Sequence, residues 1–324
     1  MTSRPLLLPL LALAGLLAQP ALAQPDTYPA KPVTIVVPYG AGGAADALMR
    51  PIAERLGAMW KQPVVIDNRA GANGIIATQL VTRAAPDGYT LLLCLTGIVQ
   101  NQSLYKKLPY DPFKDLLAIT QVGTQPMGLA VTPGSPYRTM PALLDAARAA
   151  PAKFSYGSFG TGSTGHIYGE LLRSSARLQI PHVPYKGEGP MLPDLISDRI
   201  QLGFVSASTA ATRSQDKSLR ILAVTGPHRL GVLPDVPTFA ELGYKGFEPV
   251  GWYGLLAPAG TPRQIIDKVS ADVRTVLAQP AIVARMRDLA IEPTGTTPEA
   301  FAKLMRSDYA KWDSLIKSFK IELD

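Results

Sequence analysis

The same order of segments occurs twice along this chain: a β-rich run, a glycine-rich loop and an amphipathic helical pattern. The first copy is PVTIVVPY, GAGG and DALMRPIAERLGAMW, and the second is KFSYGSFG, TGSTG and HIYGELLRSSA. In each half, three further β-rich runs follow, separated by helical or polar segments. Short β-rich runs that alternate with helices are typical of parallel sheets built from βα units. The repeated order therefore predicts two α/β lobes of similar plan.

Two further apolar runs predict how the lobes are connected. MGLAVTPG follows the fourth strand of the first half, and GWYGLLAPAG follows that of the second. If each run crosses to the other lobe and pairs there, lobe 1 comprises residues 24–126 plus 250–324, and lobe 2 comprises residues 127–249. The fold class is then a two-lobed α/β protein in which each lobe is a mainly parallel sheet flanked by helices. Since ligands bind outside the carboxyl ends of such strands, the two glycine loops should face each other across a cleft.

The N-terminus predicts export. Residues 1–23 combine Arg4, the apolar stretch LLLPLLALAGLL and the small-residue signal Ala21-Leu22-Ala23, which is the layout of a signal peptide cleaved after Ala23. The formal net charge of +7 comes from residues scattered among acids, so it mildly favours anionic ligands. Export argues against nucleic acid as a partner. We expect an exported, monomeric protein.

The glycine loops predict an anion-binding site. Gly160, Gly162 and Gly165 have the spacing G-x-G-x-x-G at the start of a helical pattern, where unpaired N–H groups and the helix dipole favour anions. Ser163 and Thr164 either cap this helix or donate their hydroxyls to an anion. A dinucleotide site has the same spacing, but an exported chain with a second glycine loop in its other lobe makes that interpretation unattractive. Two opposed loops instead suit a ligand that carries carboxylates.

Two polar residues near the helix starts leave alternatives open. Asp46 lies in the first helical turn after the GAGG loop, where it either interacts with the helix dipole or contacts the ligand. His166, beside Ser163, is one of three histidines and more plausibly lines the cleft or caps the helix than acts as a general base. The sequence contains no G-x-S-x-G motif, no H-x-x-x-H and no cysteine pair, and Cys94 fits an apolar strand. We therefore predict no catalytic residue, metal or cofactor, and an exported hydrolase remains the alternative from another class.

Several motifs together resemble one family, the Bug-type solute receptors of tripartite tricarboxylate transporters. They occur in the family's order across essentially the whole mature chain. The matching segments are YPAKPVTIVVPYGAGGAADALMR, QPVVIDNRAGANG, PDGYTLLL, LYKKLPYDPFKDL, FSYGSFGTGSTGHIYGELL, HVPYKGEGP, LPDVPTFAELG and GWYGLLAPAGTP. The resemblance implies a periplasmic, type II-like binding protein that delivers a small organic carboxylate to membrane permease subunits. A ligand sensor for a signalling partner has the same binding chemistry and remains an alternative.

The resemblance also implies a set of ligand-binding positions, in which backbone amides, small side chains and water hold the carboxylate. They are Tyr39, Ala41, Gly42, Gly43, Ala44, Asp46, Thr96, Gly160, Gly162, Ser163, Thr164, His166 and Ser206.

Two departures from the family pattern bear on the ligand. Ala45 stands where many relatives have a Ser or Thr, and Val205 with Ser206 stands where relatives often have a polar pair. We therefore expect the far side of the pocket to be less polar than in receptors for amino-acid-like ligands. The hypothesis is a ligand with an apolar or aromatic body behind its carboxylate.

Overall fold

The computed structural model describes residues 28–248 and 250–323. The predicted signal peptide, residues 1–23, lies outside this range. Within the described residues, no helix is both long and apolar enough to cross a membrane.

The described chain alternates strands and helices, as the repeated segment order predicts. The strands are β1 Val33–Val37, β2 Val64–Asn68, β3 Thr90–Leu95, β4 Leu116–Gln125, β5 Met127–Val131, β6 Tyr156–Ser158, β7 His182–Pro184, β8 Leu202–Ser206, β9 Arg220–Val224, β10 Gly251–Pro258 and β11 Glu292–Pro293. The helices are α1 Ala44–Trp60, α2 Ile75–Thr82, α3 Gly97–Leu104, α4 Met140–Ala149, α5 Thr164–Ser175, α6 Glu188–Ile196, α7 Ala207–Gln215, α8 Arg263–Leu277, α9 Pro280–Asp288 and α10 Pro298–Phe319.

Two sheets form the cores of the two lobes. The first has the strand order β11-β4-β10-β3-β1-β2, and the second has the order β7-β6-β8-β5-β9. Strands β1, β2 and β3 pair in parallel, as do β6, β7 and β8. This arrangement confirms the two-lobed α/β fold.

The crossing strands make each sheet mixed. Strand β5 follows β4 along the chain but pairs with β8 and β9 of the other lobe, antiparallel to both. Strand β10 returns to the first sheet and pairs antiparallel with β3 and β4. Each crossing strand is thus inserted against the direction of its neighbours. We propose to divide the lobes at these two crossings, with the residue bounds that the sequence predicts.

The hydrophobic core is shared between the lobes on one side. Helices α1 and α8 cover one face of the first sheet, with Leu48, Ile52 and Val269 fully buried. Helix α10 packs on α3 and β4 but also reaches α5 of lobe 2, where Trp312 meets Tyr168 edge to face at 5.5 Å between ring centroids. The C-terminal helix therefore joins the two lobes, in addition to packing on lobe 1.

Candidate functional site

A cavity of about 460 Å³ lies between the lobes at the carboxyl ends of the strands. Residues of both lobes and of both crossing strands form its wall. The lining residues are Tyr39, Gly43, Ala44, Ala45, Asn73, Leu95, Thr96, Gly97, Gln100, Gln125, Met127, Phe159, Ser163, Thr164, Gly187, Glu188, Gly189, Ser206, Gly251, Trp252 and Tyr253.

The first glycine loop is held by the side chain of Asp46. The Gly42 amide donates to Asp46 Oδ2 at 3.0 Å, and Arg50 Nε donates to the same oxygen at 2.7 Å. The hydrogen bond from Arg50, together with that from the Gly42 amide, lowers the pKa of the Asp46 carboxyl. Gly42 has φ +81°, a left-handed conformation that glycine adopts readily. Asp46 is buried and directed at its own loop, outside the cavity lining.

The N-terminus of α1 opens into the cavity without a side-chain cap. Its N-cap is Gly43, which provides no side-chain acceptor, and Gly43, Ala44 and Ala45 all line the cavity. The first N–H groups of a helix have no acceptor within the helix and carry part of the positive end of its dipole. An anion in the cavity can therefore accept hydrogen bonds from this turn, where the small side chains allow close approach.

The second glycine loop has a comparable internal bond. The Gly162 amide donates to His166 Nδ1 at 3.0 Å, four residues further along the chain. Ser163 is the N-cap of α5: its Oγ accepts from the His166 amide at 3.3 Å and donates to Gly160 O at 2.7 Å. Thr164, the first residue of α5, lines the cavity. Of the two roles considered for Ser163, the capping bond is thus present.

A stack of rings lies beneath the second loop. His166 and His182 are 4.0 Å apart between ring centroids, and Tyr156 stacks on His182 at 4.8 Å. His182 Nε2 is hydrogen-bonded to Ser158 Oγ at 2.7 Å. Burial, reinforced by the neighbouring His166 ring, lowers the pKa of His182 to about 4, and burial also lowers that of His166. Both rings are therefore neutral at pH 7, and His166 Nδ1 can accept the Gly162 N–H.

The two lobes are hydrogen-bonded across the cleft. Gln100 on α3 is hydrogen-bonded to the hydroxyl of Thr164 on α5. Its Nε2 lies 3.2 Å from Thr164 Oγ1 as donor, and its Oε1 lies 3.3 Å from the same hydroxyl as acceptor. Thr96, at the start of α3, accepts from the Trp252 amide at 2.8 Å and so ties β3 to the second crossing strand. The hydrogen bonds between Gln100 and Thr164 join the two lobes beside the cavity, whereas that of Thr96 lies within lobe 1.

The far side of the cavity combines apolar walls with one carboxylate. Glu188, the first residue of α6, accepts from the Ser206 amide at 2.6 Å and from Ser206 Oγ at 3.0 Å. Burial raises the pKa of the Glu188 carboxyl, while hydrogen bonds from Ser206 and Thr209 oppose that increase. Glu188 is the one Asp, Glu, Lys, Arg or His among the described residues that line the cavity. The apolar wall consists of Tyr39, Leu95, Met127, Phe159, Trp252 and Tyr253.

The structure brings together some of the sequence-predicted site residues and not others. Those that line the cavity are Tyr39, Gly43, Ala44, Thr96, Ser163, Thr164 and Ser206. Those that are not part of the lining are Ala41, Gly42, Asp46, Gly160, Gly162 and His166. The second group includes Gly42 and Gly162, whose backbone amides donate to Asp46 and His166, respectively.

Sequence reasoning did not assign Glu188, Gln100 or the aromatic wall around Trp252 to the ligand site. A signal for Glu188 was present, since it follows the strand HVP and the turn YKG directly, at the carboxyl edge where ligands bind. No comparable signal marks Gln100, because the sequence GIVQNQSL resembles a polar connection between two strands rather than a helix. The sequence prediction likewise did not include the negative charge that Glu188 contributes to the cavity wall.

Metal-binding geometry is not found in the described part of the chain. Within residues 28–248 and 250–323, no group of three or more His, Cys, Asp and Glu side chains is placed to hold a metal ion. Cys94 is buried, with its Sγ 3.3 Å from Gly254 O, as expected for a strand residue in the core.

Comparison with known proteins identifies the relatives of this chain. Residues 48–321 match the family described as tripartite tricarboxylate transporter family receptor, TctC. A UPF0065 protein encoded in the tcbD-tcbE intergenic region of Pseudomonas sp. strain P51 is 37% identical over 297 residues, which cover 91% of this chain and 88% of that protein.

Solved structures give the same picture at the level of the fold. Rpa4515 of R. palustris with adipate has a TM-score of 0.84 at 34% identity, covering 91% of this chain and 100% of that one. The periplasmic binding protein BugD has a TM-score of 0.82 at 32% identity, again covering 91% and 100% of the two chains. The two-lobed architecture and the cleft between the lobes are thus those of periplasmic binding proteins.

Proposed function

Because the chain belongs to the tripartite tricarboxylate transporter receptor family, we propose that it binds a small organic carboxylate and delivers it to the permease subunits of such a transporter. The observation that carries the proposal is the uncapped N-terminus of α1, which opens into the cavity between the lobes. The adipate in Rpa4515 supports a carboxylate as the ligand class.

The carboxylate is bound without an arginine or lysine in the cavity wall. Among the described residues that line the cavity, the donors include the first-turn amides of α1 and the side chains of Thr96, Gln100, Ser163 and Thr164. Several N–H and O–H donors acting together compensate for the lost hydration of a carboxylate, because hydrogen bonds to a charged acceptor are stronger than those between neutral groups. The apolar wall around Trp252 and Tyr253 suits an apolar or aromatic ligand body.

Capture requires the lobes to move. The carboxylate first docks on the α1 turn of lobe 1, and the lobes then rotate about the crossings so that Ser163 and Thr164 of lobe 2 complete the site. The hydrogen bonds between Gln100 and Thr164 belong to the closed arrangement. Ligand release to the permease is the reverse motion.

The proposed location is the periplasm, with the signal peptide removed after Ala23. Mass spectrometry of the exported protein should give a chain that begins at Gln24. A chain that retains residues 1–23 in the exported fraction would contradict this step.

A thermal-shift screen of aliphatic and aromatic carboxylates, followed by calorimetry of the hits, tests the function. A ligand at about 100 times its Kd stabilises the folded state by about 2.7 kcal/mol, so a true ligand raises the Tm while the corresponding primary amide does not. Stoichiometric binding without product formation distinguishes a receptor from a hydrolase. Co-purification with permease subunits, rather than with a sensor-kinase domain, distinguishes transport from sensing. A screen in which no carboxylate raises the Tm rejects the proposal.

A further inference from the structure

The Glu188 carboxylate is a charged group in the cavity wall that the proposed carboxylate site leaves without a role. Both of its oxygens are held by Ser206, one by the backbone amide at 2.6 Å and the other by the hydroxyl at 3.0 Å. A carboxylate offers about four acceptor positions, so each oxygen keeps capacity for another donor. The side chain is therefore fixed in position and still able to bind a group in the cavity.

No protein cation balances this carboxylate. Within the described residues, the groups that stabilise its charged form are the amide and hydroxyl of Ser206 and the hydroxyl of Thr209, all of them neutral. A partly buried carboxylate without an opposite charge is costly, and a positive group placed beside it recovers much of that cost. A cation or a strong hydrogen-bond donor on a ligand would therefore be stabilised beside Glu188.

The opposite part of the cavity has the reverse polarity. The α1 turn of lobe 1 contributes N–H groups and the positive end of a helix dipole, whereas Glu188 of lobe 2 contributes a negative charge. Apolar side chains such as Met127 and Trp252 also line the cavity. A ligand that matches this pattern has a carboxylate at one end, an apolar body and a positively charged end.

We propose that Glu188 is the specificity residue of this receptor and selects a carboxylate whose far end carries an ammonium group. The inference rests on the proposed function, because the α1 turn must hold the ligand carboxylate. It also makes the cavity unfavourable for dicarboxylates, since their second carboxylate would lie against Glu188 with no cation between them. Adipate, the molecule present with Rpa4515, is such a dicarboxylate, so we expect this receptor to disfavour it.

Two near-isosteric ligand series test this selection. The aliphatic series is δ-aminovalerate, hexanoate and adipate, and the aromatic series is p-(aminomethyl)benzoate, p-ethylbenzoate and terephthalate. Calorimetry of the full mature chain should give, in at least one series, an amino ligand that binds at least about tenfold more tightly than both of its analogues. Glu188→Gln keeps an acceptor for the Ser206 amide but removes the charge, so it should abolish this preference while the Tm without ligand changes little.

A matched variant separates the local effect from net charge. Asp235→Asn removes one exposed negative charge of lobe 2 outside the cavity lining and should leave the preference intact. If alkyl carboxylates or dicarboxylates bind as tightly as the amino ligands, or if Glu188→Gln keeps the preference, the selectivity assignment is wrong and the proposed function stands. If no member of either series binds while another carboxylate of the thermal-shift screen does, the selectivity assignment is wrong and the proposed function stands; the proposed function fails only if no carboxylate of that screen binds.

Discussion

The two glycine loops are fixed by the same local device, with different residues. Gly42 donates its amide to Asp46, and Gly162 donates its amide to His166, in each case to a side chain four residues later in the first helical turn. The motifs predicted anion-binding loops from glycine spacing, but spacing alone does not indicate which amides stay free. In both loops the amide of the middle glycine is used internally, and residues of the helix turn that follows line the cavity. The first N–H groups of that turn have no acceptor within the helix.

The surroundings of the two glycines predict different costs of substitution. A Cβ at Gly42 would meet no atom within 4 Å, whereas a Cβ at Gly162 would lie 2.7 Å from Leu323 Cδ1 and 3.1 Å from Leu104 Cδ1. Both residues have positive φ, so Gly42→Ala should cost about 1 kcal/mol for backbone strain alone. Gly162→Ala should cost more, because Leu323 or Leu104 must also move. Urea unfolding of both variants checks this, and equal losses would contradict it.

The ring stack beneath the second loop predicts an acid-sensitive fold. The pKa of His182 is lowered from its ordinary value near 6.5 to about 4, so the unfolded chain binds a proton in this interval that the folded protein does not. The free energy of unfolding should therefore fall as pH drops from about 6.5 towards 4. Since His182 is partly exposed, solvent screening limits its share to about 1 to 2 kcal/mol.

Urea unfolding at about pH 7 and about pH 5 measures this dependence. His182→Gln, which keeps a polar partner for Ser158, should flatten the dependence. The exposed His228→Gln serves as the matched control and should not. A slope that is unchanged in His182→Gln would show that the stack is not responsible.

At the level of elements, the sequence predicted strands better than helices. The runs around β1, β3, β5 and β10 are continuous and apolar, because these strands are buried on both faces, and such runs are easily recognised. Helices α3, α4, α7 and α9 were not predicted. The sequences of α3 and α7, GIVQNQSL and ASTAATRSQ, show only a weak apolar stripe, and packing on the sheets rather than intrinsic pattern determines them.

The site residues likewise fall into a group that could be predicted from the sequence and a group that could not. The positions at helix starts and strand ends were predictable, because the carboxyl edge of a sheet is where such folds bind ligands. Gln100 depends on the unpredicted helix α3, and the aromatic wall depends on how the crossing strand β10 enters the first sheet. Side chains that meet only through tertiary packing leave no local signal in one sequence.

The backbone N–H of the first residue of α1, Ala44, can be removed by substitution without breaking the helix. Ala44 occupies the first helical position, where proline is well tolerated, and the preceding Gly43 has φ −76° and ψ 171°, the extended conformation that a residue before proline adopts. Ala44→Pro should therefore keep the Tm of the free protein. Because a hydrogen bond to a charged group contributes about 1.5 to 3 kcal/mol, carboxylate affinity should fall about tenfold or more. Calorimetry with the ligand found by screening measures it.

The matched control for this element is Ala44→Ser, which is similar in size and retains the N–H group. Its affinity should stay close to that of the unaltered protein. If Ala44→Pro binds the ligand as tightly as Ala44→Ser does, the α1 turn is not the carboxylate site. If both variants lose affinity together, side-chain size at this position, rather than the amide, limits binding.

At the scale of the whole molecule, the cavity is formed jointly by lobe 1 and lobe 2, which the chain connects. The lobes share a crossing at each end of lobe 2, and α10 adds a contact between lobe 1 and α5 through Trp312 and Tyr168. One side of the cleft is thus held by packed side chains, while at the cavity the contacts between the lobes include the hydrogen bonds between Gln100 and Thr164. A few hydrogen bonds contribute little against water, so the lobes can separate there at small cost.

This bridge predicts a coupling between closure and affinity. Gln100→Met and Thr164→Val each remove it while keeping side-chain size, and each should shift the ligand-free protein towards the open arrangement, with a larger radius of gyration in solution scattering. A bridge that contributes about 1 kcal/mol corresponds to a roughly fivefold loss of affinity. Because both variants remove the same bridge, the double variant should increase the radius of gyration of the ligand-free protein little more than either one, whereas Gln102→Met on the same helix should not change it. Increases that simply add in the double variant would mean that closure is governed by other contacts of the cleft.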